Sequence, residues 1–250
     1  MKKIITAQDI IKTYAMTDKK NTVLDSISLD VFEGEFVSIM GPSGSGKSTL
    51  MYVLSGMDTF DSGAVEFLGT DLTGLSEQAL ADIRRQQMGF IFQQPTLLAN
   101  LNLIDNIILP TMRDNRRQRN QLLKRAQELM NQVGIGELAN RRLTEVSGGQ
   151  LQRAGICRAL MANPAIIFGD EPTGALNSKV ADDILDVLTK INQAGTTVVL
   201  VTHDAKVAAR SKRVLFMLDG QLVSELSLPE MLPMDERMER VLKQMQIIGI

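Results

Sequence analysis

The stretch Gly41-Pro42-Ser43-Gly44-Ser45-Gly46-Lys47-Ser48-Thr49 sets glycines, a lysine and hydroxyls at a spacing that can hold phosphate. Glycines let backbone N–H groups turn inward around an anion, with no Cβ in the way. The spacing fits G-x-x-x-x-G-K-[ST], a pattern that needs a strand before it and a helix after it. Both are legible. Residues 36–40 form a short apolar run of buried-strand type, and Leu50, Val53 and Leu54 follow at helical intervals. In that setting Lys47 reaches the β- and γ-phosphates of a nucleotide, and the Ser48 hydroxyl ligates Mg²⁺.

Such a loop calls for an acidic metal contact at the end of a neighbouring apolar strand. Ile166-Ile167-Phe168-Gly169-Asp170 supplies it, and Glu171 follows at once. Adjacent carboxylates repel, so packing alone gives little reason for the pair. With a cation beside Asp170, Glu171 is left to polarise a water. His203, the chain's one histidine, comes just after the apolar run Val198-Val199-Leu200-Val201. That is the strand end at which α/β sheets hold ligands; a packing histidine is the plainer alternative. A second small-residue loop, Ser147-Gly148-Gly149, opens a segment with Leu151, Ala154, Gly155, Arg158 and Ala159 at helical spacing. A helix N-terminus entered this way is also an anion site, which leaves open whose phosphate it holds.

These groups require an α/β frame. "PAIIFGDEPT" and "GTTVVLVTHD" are apolar runs with polar ends, the mark of buried parallel strands. Between them Val180, Ile184, Leu185, Val187, Leu188 and Ile191 share one helical face that ends at Gly195. The N-terminal "TVLDSISLDVFEGE" and "GAVEFLGTDL" predict short alternating strands of an antiparallel layer, whereas residues about 95–160 read as mostly helical. Asp219-Gly220 between apolar runs signals a hairpin. The expected fold class is α/β: a P-loop NTPase core with a parallel sheet, an N-terminal antiparallel β subdomain and an inserted α-helical subdomain.

Composition narrows the function. Hydrophobic residues make up 44% and charged residues 22%, ordinary for a globular chain of 250 residues. A net charge of −2 gives no basic excess, so nucleic acid is not an expected partner. The single Cys157 excludes an internal disulfide and suits a reducing compartment; buried packing is its expected role. No apolar run approaches membrane-spanning length, and the start "MKKIITAQDIIK", broken at Gln8 and Asp9, does not read as a secretory signal. A soluble cytoplasmic protein is expected, with any membrane connection made through a partner.

Taken in order, the motifs resemble those of the nucleotide-binding domain of ATP-binding-cassette (ABC) transporters, over nearly the whole chain. "GPSGSGKST" resembles the Walker A loop, "IIFGDE" the Walker B strand with its catalytic glutamate, and "VSGGQ", with Gln150, the signature motif. Gln93 in "FIFQQP" resembles the Q-loop residue that senses Mg²⁺ and faces the membrane subunit. His203 resembles the switch histidine that contacts the γ-phosphate, and Tyr14 in "IKTYAM" resembles the aromatic that stacks on adenine. The resemblance implies an ATPase that uses ATP and Mg²⁺, with Ser48, Gln93 and Asp170 at the metal. It also implies a head-to-tail homodimer in which Ser147, Gly148 and Gly149 serve the nucleotide held by the other copy. An ABC ATPase domain over residues 1–227 and a C-terminal amphipathic helical tail over 228–250 are expected.

Two positions depart from the family pattern. Val146 stands for the first Leu of the signature, and Asn177 in "GALN" stands where the D-loop has Asp, which keeps hydrogen-bonding capacity but loses charge. "MGFIFQQ", "GDEPTGALNSK" and "VTHDAKVAA" resemble the branch that serves lipoprotein-release and macrolide-export permeases, nearest to ATPases of bacitracin and antimicrobial-peptide resistance. The implied partner is a transmembrane permease of the FtsX-like, macrolide-export type. The implied location is the cytoplasmic face of a bacterial cell membrane, peripherally through that permease. Regulation of a cell-division type complex, or lipoprotein or macrolide export, is the alternative function. Chromosome, repair and translation ABC ATPases carry long insertions or two cassettes, which this chain lacks.

Three further features carry expectations. Arg113, Arg116, Arg117, Arg119, Lys124 and Arg125 form a basic run read as a solvated helix face rather than a lipid contact. Met234, Met238, Val241, Leu242 and Met245 form a stripe read as packing on the protein's own core rather than on a partner. The apolar "QQPTLLANLNLIDNIILP", with Leu97 and Leu98, reads as a partner surface.

Overall fold

The two strand patterns of the sequence become two sheets. The computed structural model describes residues 2–16, 19–113 and 118–250. Its strands are β1 (Lys3–Met16), β2 (Lys19–Phe32), β3 (Phe36–Met40), β4 (Ser62–Phe67), β5 (Thr70–Asp71), β6 (Met88–Phe92), β7 (Ile166–Asp170), β8 (Thr197–Thr202), β9 (Arg213–Leu218) and β10 (Gln221–Ser227). Its helices are α1 (Lys47–Leu54), α2 (Glu77–Gln87), α3 (Leu103–Met112), α4 (Arg119–Gln132), α5 (Gly148–Leu160), α6 (Ser178–Gln193), α7 (Ala205–Ala208) and α8 (Met234–Ile248).

The central sheet runs β10-β9-β3-β8-β7-β6. All its pairings are parallel except β10 on β9, the hairpin signalled by Asp219-Gly220. Every residue of β3 and β8 is buried, because helices cover both faces of a parallel sheet. On one face Val37, Ile39 and Phe168 pack with Leu50 and Leu54 of α1 and with the second sheet. On the other, Ile167, Val198 and Leu200 pack with Ile184, Leu185 and Leu188 of α6.

The second sheet is antiparallel, in the order β2-β1-β4-β5. Its first two strands have 14 residues each; β2 is longer than the short strand expected there, and β1 was not among the strands expected. A register shift between Ala7 and Ile10 lets β1 run past the polar Gln8 and Asp9. Asp9 takes a positive φ of 47° there, so the polar Gln8-Asp9 break becomes a bulge instead of ending the strand. Arg213 ties the sheets together: its guanidinium bonds Glu35 Oε1 at 2.6 Å and the Asp30 carbonyl at 2.6 Å.

Helices α3, α4 and α5 close a core of their own around Leu103, Ile107, Ala126, Met130, Ala154 and Cys157. Burial pushes the Cys157 thiol up to about 12, as packing alone requires. Most of the apolar run 93–110 serves this core. Ile104, Ile107 and Ile108 are buried and Leu97 packs against them, which corrects its reading as partner surface; Leu98 and Leu109 remain exposed. In the basic run, Arg125 holds the Leu160 and Met161 carbonyls, Arg113 pairs Asp82 and Arg119 pairs Asp105. Lys124 is exposed, and Arg116 and Arg117 lie outside the described residues.

Helix α8 lies on the central sheet. Val241 is buried, and Met238 and Met245 pack with Met40, Ala205 and Phe216. Met234 and Leu242 are exposed, so the stripe divides: the buried face turns through Arg237 and Val241 instead. Among the described residues no helix is long and apolar enough to cross a membrane.

Candidate functional site

β3 ends at Met40 between β8 and β9, and the chain must turn there within a crowded layer. At Gly41 a Cβ would stand 2.2 Å from the Met217 carbonyl oxygen, so only glycine passes. Gly46 takes a φ of 96° and starts α1 with no side chain capping it. The first N–H groups of the helix are left for an anion. Lys47, buried at its base, folds back to donate to the Pro42 carbonyl at 2.7 Å. Burial lowers its ammonium pKa below the ordinary value, while Glu171 and Asp170 push the other way.

Sheet register brings the remaining groups to this loop. Met40 pairs with Thr202, and Asp170 with Val201, so three neighbouring parallel strands end side by side. This is where open α/β sheets hold ligands. The Ser48 hydroxyl donates to Asp170 Oδ1 at 2.9 Å, and the Tyr52 hydroxyl to Asp170 Oδ2 at 3.0 Å. Glu171 adopts a φ of 46°, a strained choice for a residue with a Cβ, while its N–H bonds the Val201 carbonyl at 3.0 Å. Its Oε1 then meets His203 Nδ1 at 2.6 Å. The two carboxylates are thus divided, one toward α1 and the other toward the histidine.

A cavity of about 890 Å³ opens over these groups. Gly41, Ser43, Gly44, Gly46, Lys47, Ser48, Thr49, Glu171, His203, Gln93 and Tyr14 all line it, as the motif reading expects of one site. Ser45 and Asp170 do not: Ser45 is buried with no hydrogen-bond partner at its Oγ, and Asp170 is joined to the lining through the Ser48 hydroxyl. Gln93 lies close against Gly174, where an added Cβ would meet its Nε2 at 2.8 Å. Tyr14 is held firmly at the edge. Its hydroxyl donates to Asp58 Oδ2 at 2.6 Å, and Lys12 Nζ sits 4.9 Å from the ring centroid. The same ammonium bonds Asp58 Oδ1 at 2.8 Å. Burial works to raise the Asp58 carboxyl, but Lys12, Tyr14 and the Thr59 N–H outweigh it and hold the group below its ordinary 3.8.

The second glycine loop lies elsewhere. None of Ser147, Gly148, Gly149 and Gln150 lines the cavity. Ser147 caps α5: its Oγ accepts from the Gln150 N–H at 3.4 Å, and Gln150 Oε1 accepts from the Ser147 N–H at 2.8 Å. Asn177 caps α6, accepting from the Val180 N–H at 3.1 Å, a task asparagine performs as well as aspartate.

Sequence reasoning missed Tyr52, Lys12 and Asp58, and also Met245 and Ile250, which line the cavity. Tyr52 had a signal: it follows Ser48 by one helical turn and so shares its face. Ser48 Oγ and the Asp170 carboxylate are adjacent hard oxygen donors, a set that fits Mg²⁺ beside a nucleotide.

A family model described as ABC transporter matches residues 24–174. The bacitracin export ATP-binding protein BceA of Halalkalibacterium halodurans is 42% identical over 89% of this chain and 88% of its own length. The macrolide export ATP-binding/permease protein MacB of Bdellovibrio bacteriovorus is also 42% identical over 89% of this chain. The chain spans about a third (34%) of that relative's length. Among solved structures, the dimeric post-hydrolysis state of the ATP-binding cassette MJ0796 bound to ADP and Pi superposes with a TM-score of 0.84. It is 38% identical, over 90% of this chain and 99% of that one. Sequence and fold agree over most of the molecule, and the chain belongs to the ABC transporter family as an ABC ATPase domain.

Proposed function

We propose that this chain hydrolyses ATP as one of two copies stacked head to tail and drives a membrane permease from the cytoplasmic face. The observation that carries the chemistry is the meeting of Lys47, Ser48, Asp170, Glu171 and His203 at three adjacent strand ends. The loop N–H groups and Lys47 hold the phosphates, and Tyr14 offers its ring to the adenine. Ser48, Asp170 and Gln93 would hold Mg²⁺, which neutralises charge on the β- and γ-phosphates. Glu171 polarises the attacking water and takes its proton on a carboxylate oxygen. His203, bonded to Glu171 at 2.6 Å, fixes that carboxylate and faces the γ-phosphate.

The dimeric MJ0796 cassette supports pairing of two copies. Ser147, Gly148, Gly149 and Gln150 then complete the partner's site, in keeping with their place outside this chain's own cavity. The near-full-length match to BceA favours antimicrobial-peptide resistance over macrolide export as the process served, with a permease of the FtsX-like type as partner. Leu98 and Leu109, exposed on the helical layer, suit that contact.

Glu171→Gln tests the chemistry. Turnover should fall by roughly 10²–10⁴-fold while ATP binding persists and an ATP-bound dimer accumulates. Near wild-type kcat in this variant would remove Glu171 from the role of general base.

A further inference from the structure

Two side chains that line the nucleotide cavity come from the end of α8: Met245 in its last turns and Ile250 just beyond it. Their position follows from how α8 is fastened. Arg237, almost fully buried, donates to the Ser211 carbonyl, and Val241 is sealed in the core. Met245 and Ile250 pack in the same cluster as Met40 and Ala205. Met40 directly precedes Gly41, and Ala205 follows His203 by two residues. The helix end therefore sits beside the phosphate-binding part of the cavity, near the base of the loop and the histidine.

The turn after α8 is built to place Ile250. Gly249 takes a φ of 76°, and its N–H donates to the Gln246 carbonyl at 3.4 Å. The Ile250 N–H donates to the Met245 carbonyl at 3.0 Å. This pair of bonds is a Schellman turn, which folds the residue after the glycine back onto the helix and brings its side chain beside the last turns. With the tail docked the cavity still measures about 890 Å³. That lies within the span of roughly 300–1,000 Å³ usual for small-ligand sites, so the tail acts as a wall and not a plug.

We propose that the end of α8 is a built wall of the phosphate end of the nucleotide site. Met245 and Ile250 keep water from the phosphates there, which strengthens the attraction of Lys47 and the loop N–H groups for them. Docking of the tail and occupancy by nucleotide are then linked, each stabilising the other by the same factor. The proposal rests on the reading of this cavity as the ATP site.

A charge pair at one position tests it in the full chain. Met245 is only half-buried, so Met245→Glu and Met245→Lys can both be accommodated. Binding of ATP, ADP and AMP, each with Mg²⁺, is measured by calorimetry for both variants and for Met245→Leu. The account predicts that Met245→Glu weakens ATP by about tenfold relative to Met245→Lys, because a carboxylate there faces phosphate. The gap should shrink from ATP to AMP, and Met245→Leu, which adds no charge, should fall between the two charged variants for ATP. Equal affinities of the Glu and Lys variants for ATP, or a gap as large for AMP, would overturn the proposal. Hydrogen exchange of wild-type residues 241–250 gives a second reading free of any folding defect: ATP should slow it, and unchanged exchange would count against the wall. Lys47→Ala separates the two layers of argument. If it binds ATP as wild type does, the cavity is not the ATP site; if it loses ATP while the charge pair shows no gap, only the wall fails.

Discussion

Two glycine loops open helices in this chain, and their ends are finished differently. α1 starts at Gly46 with no side-chain cap, under a cavity whose walls bring a lysine, the Glu171 carboxylate and a histidine together. α5 starts at Ser147 with a complete capping box, on a surface away from that cavity. In a capping box the side chains take the N–H groups of the cap and of the third helical residue. The N–H groups of Gly148 and Gly149 remain without intrahelical acceptors. The first loop is surrounded by candidate phosphate-binding groups of its own chain. The second has no such groups around it in its own chain, and in the proposed head-to-tail dimer its two N–H groups would face a phosphate held by the other copy.

The largest effect that separates the loops is steric. At Gly41 an added Cβ meets backbone at 2.2 Å, whereas at Gly148 it meets only Leu176 Cδ2 at 3.9 Å. Gly41→Ala should therefore cost about 3 kcal/mol in urea unfolding, and Gly148→Ala should fall within about 0.5 kcal/mol of wild type. Equal losses would mean that the two loops are under the same constraint.

A smaller effect concerns the edge of the first site, where Tyr14 and Lys12 share Asp58. The folded pKa of Asp58 is depressed, so its contribution is present above the unfolded value of 3.8 and is lost as pH falls through the folded value. Asp58→Ala should lower stability by about 2 kcal/mol at pH 7, since it leaves the buried Lys12 ammonium unpaired. The difference from wild type should shrink as pH falls below 3.8. A deficit that stayed constant down to pH 2 would show that the carboxylate charge is not what counts.

The smallest effect belongs to the second loop. Ser147→Ala removes the cap of α5 and should cost about 1 kcal/mol. ATP affinity of the isolated chain should be unchanged, because Ser147 does not reach its cavity. A weakened affinity in the monomer would place the second loop in its own chain's site.

The sequence displayed these regions unequally. β3, β7 and β8 were legible because strands buried on both faces must be apolar throughout and can turn polar only at their ends. Those ends carry the candidate site, so Lys47, Ser48, Asp170, Glu171 and His203 could be found together. β1 went unread altogether, because the polar Gln8-Asp9 pair interrupts its alternation and only a bulge carries the pairing past it. Leu97 and the α8 stripe were misread in part for a related reason. Periodicity marks an apolar face but not which neighbour covers it, and α3–α5 and the Met40–Phe216 cluster decide that in three dimensions. The Lys12–Asp58–Tyr14 contact joins residues more than forty positions apart and left no local pattern.

The central claim is that the second loop serves another copy's nucleotide, and mixed dimers test it directly. One preparation pairs a Lys47→Ala chain with a Ser147→Arg chain; the other pairs a wild-type chain with one that carries both changes. If the loop acts across the dimer, the first preparation retains one composite site free of both lesions, whereas each site of the second carries one. The account predicts ATP hydrolysis by the first mixed dimer and silence from the second. Activity in the second with silence in the first would show that each signature loop serves its own chain's nucleotide, and would contradict the account.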